Sequence, residues 1–173
     1  MSEDTTIDPQ SPAPRRPIDR LSDAAIGVAA SALFGLVVVQ GWQVIARYVL
    51  NDSPSWTEPV TLLLLSTAMS LGAASGVHTQ RHFGFFLLAD AAPPRLRRVL
   101  SALTPLVIIA IGAVIAFWAS RLLADGIDIR VAGAAMPQSI NYLPLAIGGV
   151  LMVVFAINQL WKALSAGAVE GDR

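Results

Sequence analysis

His78 and His82 stand four residues apart, the spacing at which a helix offers two imidazoles to one zinc ion. No third ligand lies near them, so no metal is expected; capping, or contact with a phosphate or a partner, is the expected use of these rings. The chain has no cysteine, which excludes disulfides, thiolate metal sites and cysteine nucleophiles. Ser66 and Ser70 have no base beside them, so a buried hydrolytic pair is not formed. A b-type haem would need histidines within the apolar segments, and both lie outside them. Neither an enzyme nor a cofactor is expected. Formal net charge is zero, and nothing suggests a nucleic-acid partner.

The elements that carry these residues are apolar. Of 173 residues, 54% are hydrophobic and 14% charged, too few charges for a water-solvated surface. A membrane-crossing helix needs about 20 mostly apolar residues. Four segments qualify: about Ala24–Ala46, Val60–Val77, Val99–Ser120 and Leu143–Trp161. None contains Asp, Glu, Lys, Arg or His. They are too long, and too uniform in polarity, for barrel strands. The expected fold is all-α with four transmembrane helices at about 24–49, 56–77, 96–122 and 142–164, in one domain over 24–165. Pro9, Pro12, Pro14 and Pro17 among polar residues suit a disordered tail over 1–23, with a second tail over 166–173. A cleaved signal peptide is the rival reading of the N-terminus. The long polar leader and long apolar run favour an uncleaved anchor.

Basic residues set the expected orientation. Nine lie on one side: Arg15, Arg16, Arg20, Arg81, Arg95, Arg97, Arg98, Lys162 and Arg173. Three, Arg47, Arg121 and Arg130, lie on the other, with Asp52, Glu58, Asp125 and Asp128. Both termini are therefore expected in the cytoplasm, with short periplasmic hairpins. A cation-coupled pump normally keeps an ionisable group at membrane depth, and these segments hold none. What remains is a scaffold for another protein.

Between helices 1 and 2, Asn51 to Pro54 are turn formers, and Ser55 with Glu58 fits a capping box. Arg47 and Glu58 suit their local helix dipoles and could pair, while Tyr48 and Trp56 belong at headgroup level. Between helices 2 and 3, Phe83-Gly84-Phe85-Phe86-Leu87-Leu88 is too short to span and too apolar for water. It reads as an interfacial amphipathic segment. Gly27, Ser31 and Gly35, like Ala68, Gly72 and Gly76, recur at four-residue steps and read as helix-packing faces, toward each other or toward another protein. Gln43, one turn before Arg47, reads as a helix-bridging amide, as do Gln40, Asn158 and Gln159.

The run Arg47-Tyr48-Val49-Leu50-Asn51 through Ser55-Trp56-Thr57-Glu58 resembles the first hairpin of the small (DctQ-like, Q-type) membrane subunit of tripartite ATP-independent periplasmic (TRAP) transporters. Ser70-Leu71-Gly72-Ala73-Ala74 leading to His82, and Met136-Pro137-Gln138-Ser139-Ile140-Asn141-Tyr142 entering helix 4, resemble the same family. Pro59 departs from its pattern. The resemblance implies a multi-pass protein of the bacterial inner membrane that scaffolds a large TRAP membrane subunit. The large subunit would carry out sodium-coupled uptake of an organic anion, such as a carboxylate, delivered by a periplasmic substrate-binding protein. It further implies a periplasmic docking rim of Arg47, Trp56, Glu58, Asp125, Asp128 and Arg130. His82, Phe83, Phe85 and Phe86 would brace the scaffold at the inner interface. The competing reading is an anchoring or assembly subunit of another bacterial membrane complex.

Overall fold

The computed structural model describes residues 16–52, 54–79 and 94–170. Four long helices are present: α1 Pro17–Tyr48, α2 Thr57–His78, α3 Pro94–Asp125 and α4 Leu143–Glu170, with a 3-10 turn at Gln138–Tyr142 before α4. All four contain stretches long and apolar enough to cross a membrane. The interfacial segment expected over 83–88, and with it His82, Phe83, Phe85 and Phe86, lies outside the described residues.

α1 begins at Pro17, inside the region expected to be a tail up to residue 23. Proline is favoured at the first helical position, where its missing N–H has no partner to lose. Asp19 then accepts the Arg16 backbone N–H at 2.9 Å. The polar stretch over 17–23 is thus a helix start rather than a break. A 32-residue helix is about 48 Å long, against a hydrocarbon core of roughly 30 Å, so its polar first turns have room outside the core. At the far end Asn51 adopts φ +52°, and the Asp52 N–H reaches back to the Ala46 carbonyl at 3.0 Å. α4 likewise runs to Glu170, past the expected tail boundary at 166.

The predicted Ser55–Glu58 capping box is not how α2 starts. Trp56 is the N-cap and has no side-chain capping bond, and the Ser55 hydroxyl donates instead to the Gly133 carbonyl at 3.1 Å. Thr57, fully buried, ties the turn by donating to the Pro54 carbonyl at 2.8 Å. Tertiary contact has drawn the capping serine away.

The helices pack in series: α1 on α2, α2 on α4, and α4 on α3. Among the described residues α1 and α3 make no extensive contact, so the chain forms a row of order α1–α2–α4–α3. Small side chains let the backbones approach, which is how helices adhere where lipid removes the hydrophobic drive between them. α1 offers Ser22, Ala25, Ala29 and Ala32 to α2. In α4, a Cβ on Gly148 would stand 2.9 Å from the Ser70 carbonyl oxygen of α2. One on Gly149 would stand 2.8 Å from the Ala116 nitrogen of α3. Adjacent glycines thus seat α4 against both neighbours. Phe155, fully buried, fills the space beside Ala74 and Val77.

Candidate functional site

Two polar regions lie at opposite ends of the helices. At the first, the α1–α2 turn meets the α3–α4 connection. That connection is closed by backbone bonds from Val131 N–H to the Met136 carbonyl (3.0 Å) and from Gln138 N–H to the Ile129 carbonyl (2.8 Å). Gly133, with φ +85°, sits so near Ser55 that a Cβ there would lie 2.6 Å from its carbonyl oxygen. This is the left-handed region that glycine occupies without a steric cost. The Ser55–Gly133 contact brings together the two loops carrying the proposed rim. Arg47, Trp56, Glu58, Asp125, Asp128 and Arg130 are all exposed at this end. In the last turns of α3, the Arg121 guanidinium lies over the Phe117 ring, 5.7 Å from its centroid.

The opposite end holds a knot of which sequence reasoning foresaw only Gln159, as a helix-bridging amide. The His78 Nε2–H donates to Asp19 Oδ1 at 2.9 Å, joining the end of α2 to the start of α1. One turn deeper, the buried hydroxyls of Ser22 and Ser75 are 2.7 Å apart. From α4, the Gln159 side-chain amide donates to the Val77 carbonyl. The His78 ring leans on Phe155, with centroids 5.1 Å apart. Three helices are thus bound together, and the buried Ser22 and Ser75 hydroxyls, costly to bury alone, satisfy each other. His78 was considered with His82 for its spacing, whereas its partner lies 59 positions away. No local pattern signals such a pair; the one available hint was a carboxylate in the first turn of an extended α1.

The small residues singled out for packing divide. Gly35 touches Leu64 of α2, and Ala68 and Gly76 are half-buried. Gly27 and Gly72 have open space where a Cβ would go. Ser31 is exposed, its hydroxyl donating to the Gly27 carbonyl at 2.8 Å. Gln43 is half-buried in α1. The α1 stripe used within the chain is Ala25, Ala29 and Ala32, offset from the glycine stripe. Buried polar atoms without a partner, among the described residues, are Thr61 Oγ1, Asn141 Oδ1 and Asn158 Nδ2.

Residues 36–166, about three quarters of the chain, match the family described as Tripartite ATP-independent periplasmic transporters, DctQ component. The chain belongs to this family. It is also similar to the sialic acid TRAP transporter small permease protein SiaQ of Vibrio cholerae serotype O1, at 23% identity over 138 residues covering 79% of each chain. This DctQ component is accordingly a transmembrane small permease subunit of a TRAP transporter. It is an inner-membrane protein and not an enzyme. The tripartite description implies further TRAP components beside it. The family match starts in mid-α1, so the rim residues fall within it, while Asp19 and Ser22 precede it.

Proposed function

We propose that this DctQ component is a static scaffold that widens the membrane body of its transporter, with transport itself carried by a large membrane subunit. The observation that supports this most is where the polar groups go. The apolar runs carry no Asp, Glu, Lys, Arg or His, and the Asp19–His78, Ser22–Ser75 and Gln159–Val77 bonds join helices to one another. A coupling site needs an ionisable group free to change partner at membrane depth. A row with two broad apolar faces suits a neighbour and lipid instead.

On this reading both termini are cytoplasmic, and the end bearing the Ser55–Gly133 contact faces the periplasm. There Arg47, Trp56, Glu58, Asp125, Asp128 and Arg130 form a rim for a substrate-binding protein. His82, Phe83, Phe85 and Phe86 brace the inner interface. The exposed Gly27–Ser31 and Gly72 surfaces are faces for close approach by a partner helix. The transported solute is an organic anion of the carboxylate class, taken up with sodium. The SiaQ relative's description names sialic acid, itself a carboxylate.

The test is co-expression with the cognate large subunit and binding protein. The chain should copurify with the large subunit, and uptake should need both, together with a sodium gradient. Uptake undiminished without this chain would refute the scaffold. Charge reversal at Glu58 or Asp128 should weaken binding-protein docking at low salt, and unchanged docking and uptake would remove the rim. Reporter fusions after Asp52 or Asp128 should behave as periplasmic.

A further inference from the structure

The α1–α2 turn and the second half of α1 border an open groove of about 500 Å3 lined by Val38, Val39, Trp42, Asp52, Pro54 and Trp56. The lining is graded in polarity along the helix axis. Val38 and Val39 belong to the apolar run, and Trp42 follows one turn nearer its end. Asp52 and Trp56 stand in the turn beyond it. Trp42 is 46% exposed and Trp56 44%, so both indoles offer surface to an occupant.

We propose that this groove binds the ethanolamine headgroup of a zwitterionic phospholipid, with the ammonium at Asp52 and against the indoles of Trp42 and Trp56. A phospholipid carries the same gradient as the groove, apolar chains toward the membrane interior and charge at the aqueous end. Indole rings sit favourably at that depth, and their faces attract cations. The phosphate is common to every phospholipid, so discrimination rests on the group beyond it. A carboxylate at that position attracts an ammonium, whereas a glycerol headgroup leaves the lipid's net negative charge unopposed. A lysine from a soluble partner would enter from the aqueous end, and its four-carbon stem would cover less of the valine floor than an acyl chain does.

The experiment uses the full-length chain in nanodiscs of equal parts phosphatidylethanolamine and phosphatidylglycerol, with retained lipid read by native mass spectrometry. The wild type should keep phosphatidylethanolamine in preference by about tenfold, the scale of one screened ion contact joined to cation–π contacts. Asp52→Asn and Trp42→Leu should each bring the two lipids near parity. Both residues are exposed, and helical circular dichroism checks that the variants remain folded. Equal retention by the wild type, a preference for phosphatidylglycerol, or an unchanged preference in Asp52→Asn overturns the proposal. A second arm places Phe at Trp118 and Trp161, leaving only the groove indoles to fluoresce. Phosphatidylethanolamine with brominated chains should quench them, with and without the large subunit. Absent quenching places the lipid elsewhere, and quenching abolished by the large subunit makes a protein the occupant; either result refutes the assignment.

Discussion

Replacing Gly148 by alanine sets two effects of known sign against each other. The added methyl would stand 2.7 Å from Ser70 Cβ, 2.9 Å from its carbonyl oxygen and 3.0 Å from its carbonyl carbon, whereas ordinary contact begins near 3.4 Å. These are Cβ and backbone atoms of α2, which cannot rotate aside. The two helices must therefore separate locally by about 0.7 Å. A gap of that size forfeits a quarter to a half of the attraction between facing atoms, and overpacking of this kind costs about 1–3 kcal/mol. Against this, alanine exceeds glycine in helix propensity by about 1 kcal/mol. The packing loss wins, because α2 on α4 is the contact that joins the α1–α2 pair to the α3–α4 pair. We expect a net loss of up to about 2 kcal/mol. Gly27→Ala and Gly72→Ala meet nothing within 4 Å and should be neutral, or more stable by up to about 1 kcal/mol. Chemical unfolding of the full-length chain in detergent, followed by tryptophan fluorescence and far-UV circular dichroism, measures all three. If Gly148→Ala matches or exceeds the wild type, or Gly27→Ala falls as far, the reasoning fails.

Gly133→Ala combines a positive φ of +85° with a contact 2.6 Å from the Ser55 carbonyl oxygen. It should cost about 1–3 kcal/mol and loosen the joined loops, read as faster proteolysis within residues 126–137; unchanged resistance would refute it. Asp19→Ala and His78→Ala should be non-additive in a double-mutant cycle, since either substitution already breaks their bond. A double variant losing the full sum would show that the two residues act separately.

Much of the membrane architecture was legible because it depends on length and solvation alone. A run such as Leu143–Trp161 must be helical in hydrocarbon, where every backbone polar group needs an internal partner. The helix ends were less legible. Pro17 and Asp19 read as a tail by composition, yet proline and a carboxylate are also what a first helical turn accepts. Ser55 and Glu58 had the pattern of a capping box, but the Ser55 hydroxyl is used by Gly133, 78 positions away. Small-residue spacing identified candidate surfaces without saying which one the chain itself would use. The glycine stripe Gly27–Ser31 and the alanine stripe Ala25–Ala29 both satisfy the four-residue step on one helix.

The sequence by itself determined four membrane-length runs empty of charge and, through its motifs, the family. Both are properties of short windows of chain, set by transfer into lipid and by turn chemistry. Only the tertiary structure decided the order α1–α2–α4–α3, the seating of Gly148 and Gly149, and the Asp19–His78 pair. These depend on which surfaces approach most closely. Inside a membrane that choice is governed by shape and hydrogen bonding between helices rather than by hydrophobicity, so no count of apolar residues could have revealed it.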